Sequence, residues 1–106
     1  SAQKVGYDIL SRDGQTGRMR FIEVKGRRAG AGTVSVTANE ILTACNAGPH
    51  YFLALVPVAE GRALPARYIR APFTQEPGPG VTSINYNWAE LWTRGEEPLD
   101  GRSIEA

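Results

Sequence analysis

The 106-residue sequence contains one cysteine, Cys45, and one histidine, His50. A single cysteine excludes an internal disulfide, and the two residues together cannot supply the four ligands of a structural zinc site. We find no Walker-type phosphate loop, internal repeat, signal peptide or apolar stretch long enough to cross a membrane. These absences predict an intracellular, cytoplasmic protein that has no membrane partner.

With 42% hydrophobic residues, the chain is expected to form one small domain with a modest core. From Gly95 onward the sequence is polar and has no hydrophobic period. We therefore predict a folded domain over residues 1–93 and a polar tail or linker over residues 94–106. The first residue is not methionine, and we expect the domain to work beside other domains of a larger parent protein.

Two apolar-rich stretches, residues 5–11 and 19–26, flank a segment with strong turn signals that include Asp13-Gly14. This pattern predicts an antiparallel hairpin. Pairing Ile9 with Ile22 places apolar side chains opposite each other across the hairpin. The same register sets Asp8 opposite Glu23.

Side chains alternate between the faces of a strand, so Glu23 and Lys25 are predicted to share one face. Opposing carboxylates at Asp8 and Glu23 are unfavourable unless a cation or strong solvation compensates them. Mg²⁺, or Mn²⁺ in its place, suits such a site because it takes one or two protein carboxylates and fills its other positions with water and phosphate oxygens. Lys25 could orient the attacking water or stabilise charge on the phosphate. The alternative is an exposed Glu23–Lys25 ion pair with no further role.

A short strand over residues 33–36 is predicted to precede a helix of about 10 residues. Thr37 and Glu40 have the spacing of a capping box. The cap explains Glu40 sufficiently, and Thr37, Asn39 and Glu40 are kept as accessory candidates for the metal site. The nearly continuous apolar residues 51–58 predict an interior strand, reached from the third strand by a parallel crossover. The sheet is then mixed.

Residues 67–70 are predicted to form a further edge strand, and the Pro- and Gly-rich residues 75–80 a loop. Residues 86–92 predict a short amphipathic helix or turn. Trp88 and Trp92 share its apolar side and are expected to anchor this segment on the core. Base stacking on the two indoles is the alternative.

Net charge is only +1, but the segment through Arg28 carries seven basic and three acidic residues. This excess predicts salt-sensitive contacts with a nucleic-acid backbone, made by Arg20, Arg27 and Arg28. Ordinary solvation of a charged hairpin is the alternative.

The combination of Asp8 with Glu23-Val24-Lys25 on the next strand resembles the PD-(D/E)XK motif of the restriction-endonuclease-like superfamily. A wider set of elements is similar to the nuclease-related domain of unknown function at the C-terminus of the plant protein NO VEIN, over about residues 5–70. These elements are Gly6-Tyr7-Asp8-Ile9, Phe21-Ile22-Glu23-Val24-Lys25-Gly26, Thr37-Ala38-Asn39-Glu40 and Tyr51-Phe52-Leu53.

The resemblance implies an α/β fold with a mixed sheet and a restriction-endonuclease-like βββαβ core that lacks the usual first helix. It also implies a metal-dependent phosphodiesterase site. Asp8, Glu23 and the carbonyl of Val24 would hold Mg²⁺ or Mn²⁺, and Asp8, Glu23 and Lys25 would be catalytic.

We therefore expect a nuclease-like domain that hydrolyses or engages DNA phosphodiesters within a nucleic-acid-processing or defence protein. The alternative is a catalytically inactive nucleic-acid-binding or protein-interaction module with the same fold. A third interpretation is an assembly element, including a homodimer, that uses a sheet edge or the surface around Trp88 and Trp92.

Overall fold

The computed structural model describes residues 6–97. The predicted start of the first strand at Val5 and residues 98–106 of the predicted tail lie outside the described residues. The strands are β1 (Ile9–Arg12), β2 (Met19–Arg28), β3 (Thr33–Thr37), β4 (Tyr51–Ala59), β5 (Arg62–Ala63), β6 (Arg67–Arg70) and β7 (Ser83–Asn87), and the helices are α1 (Ala38–Ala47) and α2 (Trp88–Arg94). A 3-10 turn, Gly48–His50, links α1 to β4. No helix within residues 6–97 is long and apolar enough to span a membrane.

The hairpin of β1 and β2 has the predicted register, with Ile9 opposite Ile22 and Leu10 opposite Phe21. Its turn is stabilised by Asp13, whose carboxylate accepts hydrogen bonds from the backbone N–H groups of Gln15 at 2.8 Å and of Thr16 at 2.9 Å. Such local bonds are the reason aspartate favours turns. The predicted hairpin is confirmed.

The main sheet has five strands, in which β2 lies between β1 and β4 while β5 and β6 pair with the other edge of β4. Strand β2 is antiparallel to β1 and parallel to β4. The predicted mixed sheet and the predicted strand at residues 67–70 are thus confirmed.

The predicted crossover partner of β4 is wrong. Strand β3 pairs instead with β7, antiparallel, in a separate two-stranded sheet. The alternating burial of β3 explains this outcome: Val34 and Val36 are buried, whereas Thr33, Ser35 and Thr37 are exposed. One apolar face suits a two-stranded layer over the core, while a strand inside a parallel sheet is covered on both faces.

Helix α1 begins at the predicted capping box. The Thr37 hydroxyl accepts from the Glu40 backbone N–H at 3.1 Å, and the Glu40 carboxylate accepts from the Thr37 N–H at 2.9 Å. The helix ends at Gly48, whose φ of 57° favours glycine. Ile41 and Ala44 form the buried stripe of α1, which packs against β3 and β4.

Helix α2 is confirmed, but β7, which overlaps the start of the predicted helical segment, was missed. The alternation of Ile84 and Tyr86 with polar residues is the strand signal. Leu91 is buried and the rings of Trp88 and Trp92 stack at 6.0 Å while packing against the core, as predicted. The backbone of Glu96, which follows the predicted boundary at residue 93, pairs with that of Tyr68. The predicted domain boundary itself stays a prediction.

The core lies between α1, α2, the small sheet and one side of the main sheet. We call that side of the main sheet, formed by Phe21, Glu23, Lys25, Tyr51, Leu53 and Leu55, the front face; the opposite side, formed by Arg20, Ile22, Val24, Phe52 and Ala54, is the back face. Tyr51, Leu53 and Leu55 are fully buried. The front face is therefore largely shielded from water around its two charged residues, Glu23 and Lys25.

Candidate functional site

Glu23 and Lys25 lie on the front face, as the strand alternation predicts. In the register with β4 they stand beside Leu53 and Leu55. The side chain of Glu23 is 4% exposed and that of Lys25 is 18% exposed. Both charges are thus held against the core and shielded from water.

Asp8 immediately precedes β1 and continues the hairpin pairing by one residue. Its backbone N–H donates to the carbonyl of Ile22 at 2.9 Å, and its Oδ2 accepts from the backbone N–H of Val24 at 2.9 Å. These two bonds fix Asp8 next to the strand segment that carries Glu23. The structure therefore brings Asp8, Glu23 and Lys25 together.

Glu40 joins this group from the first turn of α1. The Lys25 Nζ lies 2.9 Å from Glu40 Oε1 and 3.5 Å from Glu23 Oε2. Because the same Glu40 oxygen accepts from the Thr37 N–H, the cap of α1 also positions the partner of Lys25. Glu40, an accessory candidate from the sequence, is the main charge partner of Lys25.

Glu23 is the most perturbed acid of the group. Burial raises its pKa to about 8, with further contributions from Glu40 and Asp8 and an opposing one from Lys25. Burial also opposes ionisation of Glu40, but the Thr37 N–H and Lys25 lower the pKa of Glu40 overall. Of the two carboxyl groups, Glu23 is therefore the one that favours the protonated form and Glu40 the one that favours the charged form.

Glu23 Oε1 is buried and accepts no hydrogen bond, whereas the carboxyl of Glu23 can hydrogen-bond to that of Glu40 when Glu23 carries a proton. A buried polar atom without a partner costs free energy, so such an atom in a native fold calls for a specific explanation. A cation or a ligand group that reaches this oxygen would satisfy it.

Tyr51 is a member of the site that sequence reasoning missed. Its hydroxyl donates to the carbonyl of Gly6 at 2.6 Å, which fixes the segment leading to Asp8. Burial first, and then the nearby carboxylates of Glu23, Glu40 and Asp8, raise the pKa of Tyr51. In the sequence, the apolar run around Tyr51 indicated only a core strand. Placing Tyr51 at the site requires the parallel register of β4 with β2.

The remaining accessory candidates have separate positions. Thr37 is the N-cap of α1, and its hydroxyl is committed to the backbone of Glu40. Asn39 lies on the exposed side of the first turn. The accessory roles of Thr37 and Asn39 at the metal site stay predictions.

The donor set fits a hard divalent ion of the Mg²⁺ type with few protein ligands. Within residues 6–97, no three His, Cys, Asp or Glu side chains are grouped so that they could hold a metal. Asp8 and Glu23 offer carboxylate oxygens, including the orphaned Glu23 Oε1, and Mg²⁺ commonly binds through one or two carboxylates and keeps several waters. The predicted ligand role of the Val24 carbonyl stays a prediction.

The three arginines predicted to contact nucleic acid do not share a face. By strand alternation, Arg27 lies on the side of Glu23 and Lys25, whereas Arg20 and Arg28 point to the other side. Arg27 Nη1 donates to the carbonyl of Thr33 at 2.6 Å. The basic residues therefore form no single surface around the acidic site.

A family model described as the C-terminal of protein NO VEIN matches residues 1–69 of the chain. The chain belongs to this family. The matched span contains Asp8, Glu23, Lys25, Glu40 and Tyr51, so the whole site lies inside it. The family name is compatible with a domain attached to further parts of a larger protein. No curated protein and no solved structure matches the chain.

Proposed function

We propose that this NO VEIN C-terminal domain is a Mg²⁺-dependent, nuclease-like module that engages and hydrolyses phosphodiester bonds of nucleic acid, with DNA as the first substrate to test. The observation that carries the proposal is the grouping of Asp8, Glu23 and Lys25 on adjacent strands. The buried Glu23 oxygen that has no partner supports it. A PD-(D/E)XK relationship is part of this proposal and would account for the same three residues. The intracellular, cytoplasmic location expected from the sequence suits such a substrate.

Asp8 and Glu23 would hold the divalent ion, with the Val24 carbonyl as the proposed third protein ligand. When bound, the ion would supply Lewis-acid polarisation of a phosphate oxygen. Asp8 already has one oxygen fixed by the Val24 N–H, which presets the direction of its carboxylate.

Lys25 would donate from its ammonium group to a phosphate oxygen and so stabilise negative charge that develops during attack by water. Glu40 orients this ammonium from a distance of 2.9 Å and is a positioning residue. The burial of the front face strengthens these electrostatic interactions, since little water screens them. Hydrolysis would form one P–O bond to water and break the opposite one, whose oxygen leaves with a proton.

The decisive experiment incubates the chain with Mg²⁺ or Mn²⁺ and single-stranded, duplex and branched DNA, with the matching RNA in parallel. Asp8→Asn is the first variant, because it keeps the size of the side chain and an oxygen for the Val24 N–H while removing the charge. We expect cleavage by the wild-type chain and a loss of about 100-fold or more in Asp8→Asn and in Lys25→Ala.

Glu60→Gln serves as the matched control, since Glu60 is an exposed acid after β4 and far along the chain from the site. It should cleave like the wild type. Equal cleavage by Lys25→Ala and the wild type would reject the role given to Lys25, and absence of cleavage by the wild type on every substrate would reject the enzymatic proposal.

One observation favours a second candidate, a catalytically silent binding or docking module. Lys25 is already in contact with both Glu23 and Glu40, so the three side chains also serve to fasten α1 to β2. In that case the wild-type chain would bind nucleic acid or a partner protein without cutting, and Lys25→Ala would lower the folding stability without changing any activity.

A further inference from the structure

The back face of the main sheet has a cavity that takes no part in the acidic site. It has a volume of about 360 Å³ and lies at the end of the sheet where β2 and β4 begin. Its lining contains three arginines and one histidine, and a single acid. The lining residues are Asp13, Thr16, Arg18, Arg20, Pro49, His50 and Arg70.

Arg20 is the central feature of this cavity because it is only 6% exposed. The nearby carboxylate of Asp13 interacts with its charge but forms no ion pair with it. Its Nη2 donates to the carbonyl of Arg12 at 3.3 Å, and its Nε is buried without a partner. Within the described part of the chain, neither Arg18, Arg20 nor Arg70 forms an ion pair with a carboxylate. A buried cation without a counter-charge is unfavourable, so an anion that enters this cavity would be stabilised.

Arg70 is held in place at the mouth of the same cavity. Its Nε donates to the carbonyl of Pro49 at 2.9 Å, and its guanidinium lies 5.7 Å from the centre of the Phe52 ring. These contacts use one N–H and one flat side of the guanidinium and leave its terminal nitrogens without a partner among the described residues. Because these contacts already fix the orientation of Arg70, binding of an anion would cost little side-chain conformational entropy.

Asp13 is the only acid in the lining, and its carboxylate is committed to the hairpin turn through the N–H groups of Gln15 and Thr16. Those two hydrogen bonds lower its pKa, so it stays charged. The lining itself carries three arginines against one carboxylate. A larger cavity of about 590 Å³ shares Asp13, Arg20 and Arg70 and adds Arg94, Glu96 and Glu97, so the excess of positive charge lies on the side of Arg18 and His50.

We propose that this cavity is a phosphate-binding site in which Arg20 and Arg70 both donate hydrogen bonds to the oxygens of one phosphate group. Guanidinium groups match phosphate oxygens geometrically and donate two parallel hydrogen bonds to them. A phosphate group has more acceptor oxygens than a carboxylate and can therefore bind both guanidinium groups at once. The phosphate belongs either to a nucleic-acid strand or to a small free phosphate compound. The site stands on the back face and does not depend on the proposed front-face chemistry.

The test is a titration of the 106-residue chain with inorganic phosphate in EDTA, followed by NMR of the arginine Nε–H groups. We expect saturable shifts at Arg20 and Arg70, and binding of acetate at least about tenfold weaker than that of phosphate. A parallel arm uses a short oligonucleotide with and without a 5′-phosphate. Competition by both oligonucleotides indicates a strand backbone as the source, competition by the phosphorylated one alone indicates a terminal phosphate, and competition by neither indicates a free phosphate compound.

Arg70→Gln tests the site without disturbing a buried residue and should weaken phosphate binding about tenfold. Asp13→Asn keeps an oxygen for the turn, removes the opposing charge and should tighten binding about threefold. Arg62→Gln, an exposed arginine at the opposite end of β4, should leave binding unchanged.

The proposal is overturned if phosphate causes no saturable shift, if acetate binds as tightly as phosphate, or if Arg70→Gln and Arg62→Gln behave alike. Lys25→Ala separates this site from the proposed nuclease function: it should abolish cleavage and leave phosphate binding on the back face intact.

Discussion

The two faces of β2 each carry a buried charged residue, and they differ in how that charge is compensated. On the front face, Lys25 lies between Glu23 and Glu40, and the proton held by Glu23 removes excess negative charge. On the back face, Arg20 is equally buried but has neither a carboxylate partner nor a hydrogen bond at Nε. The lysine of the front face is thus paired with carboxyl groups inside the fold, whereas the buried arginine of the back face forms no ion pair with a carboxylate of residues 6–97.

The largest expected effect is that of Lys25→Met, which removes the cation from the front face. Glu40 then keeps its charge without the ammonium that compensates it. Breaking one partner of a buried pair costs several kcal/mol, and for this partly exposed lysine we expect a loss of about 2 to 4 kcal/mol in the free energy of unfolding. Urea denaturation at pH 7 measures it.

Adding Glu40→Gln to Lys25→Met should recover part of that loss, because the uncompensated charge is then absent. Arg62→Met is the control for loss of an exposed cation and should change the stability by less than about 0.5 kcal/mol. If Lys25→Met were no more harmful than Arg62→Met, the front-face network would have no role in stability.

The second effect concerns pH. The pKa of Glu23 is raised from its ordinary value of 4.5 to about 8 in the folded chain, so between these values the folded state holds a proton that the unfolded state has lost. Stability should therefore fall as pH rises from 5 to 8, with a limiting slope of about 1.4 kcal/mol per pH unit. Urea midpoints in EDTA measure this dependence.

Glu23→Gln should remove that dependence, since glutamine does not titrate. Glu40 has the opposite sign: its lowered pKa contributes stability that is lost only as pH falls below its unfolded value, outside the window from pH 5 to 8. A flat profile for the wild type, or an unchanged slope in Glu23→Gln, would contradict the buried, protonated state of Glu23.

A smaller effect is expected from Thr37→Ala, which removes the hydroxyl that caps α1 and so loosens the turn that presents Glu40. Loss of an N-cap costs about 1 kcal/mol. Thr37→Ser keeps the hydroxyl and should stay close to the wild type. Thermal melts compare the two variants. A lower melting temperature for Thr37→Ala than for Thr37→Ser, together with a weaker Lys25–Glu40 coupling in Thr37→Ala, would show that the cap supports the front-face charges.

The smallest effect is expected on the back face. Arg20→Met removes a buried cation that has no counter-ion and only one long hydrogen bond, and it keeps most of the packing of the side chain. We expect a change of less than about 1 kcal/mol, of either sign. A loss of stability as large as that of Lys25→Met would mean that Arg20 has a structural partner. The two faces would then not differ in how they compensate a buried charge.

Several parts of this molecule could be predicted from local patterns. The Asp13-Gly14 turn and the apolar pairs of the hairpin specified the register that places Asp8 opposite Glu23. The spacing of Thr37 and Glu40 specified the start of α1. The two-residue period of β2 also specified that Arg20 and Arg28 lie on the opposite face from Arg27.

Other parts needed contacts between residues that are far apart in sequence. The pairing of β3 with β7 joins residues about 50 positions apart, and no turn signal connects them. The role of Tyr51 depends on a parallel register with β2, and its hydroxyl reaches Gly6 across the sheet. Patterns within one strand specify which face a residue takes but not which other strand lies beside it.

Local patterns specified on which face of a strand and at which end of a helix each charge lies, because turn chemistry, the strand period and helix capping act over a few residues. Contacts between elements distant in sequence specified which groups those charges meet. Packing of α1 against β3 and β4 placed Glu40 beside Lys25 of β2. Glu23 was buried on the same face, while Arg20 was enclosed on the other side without an ion pair to a carboxylate. The physical reason is that burial and Coulomb interactions depend on distance in space, which the folding of separate elements against one core sets.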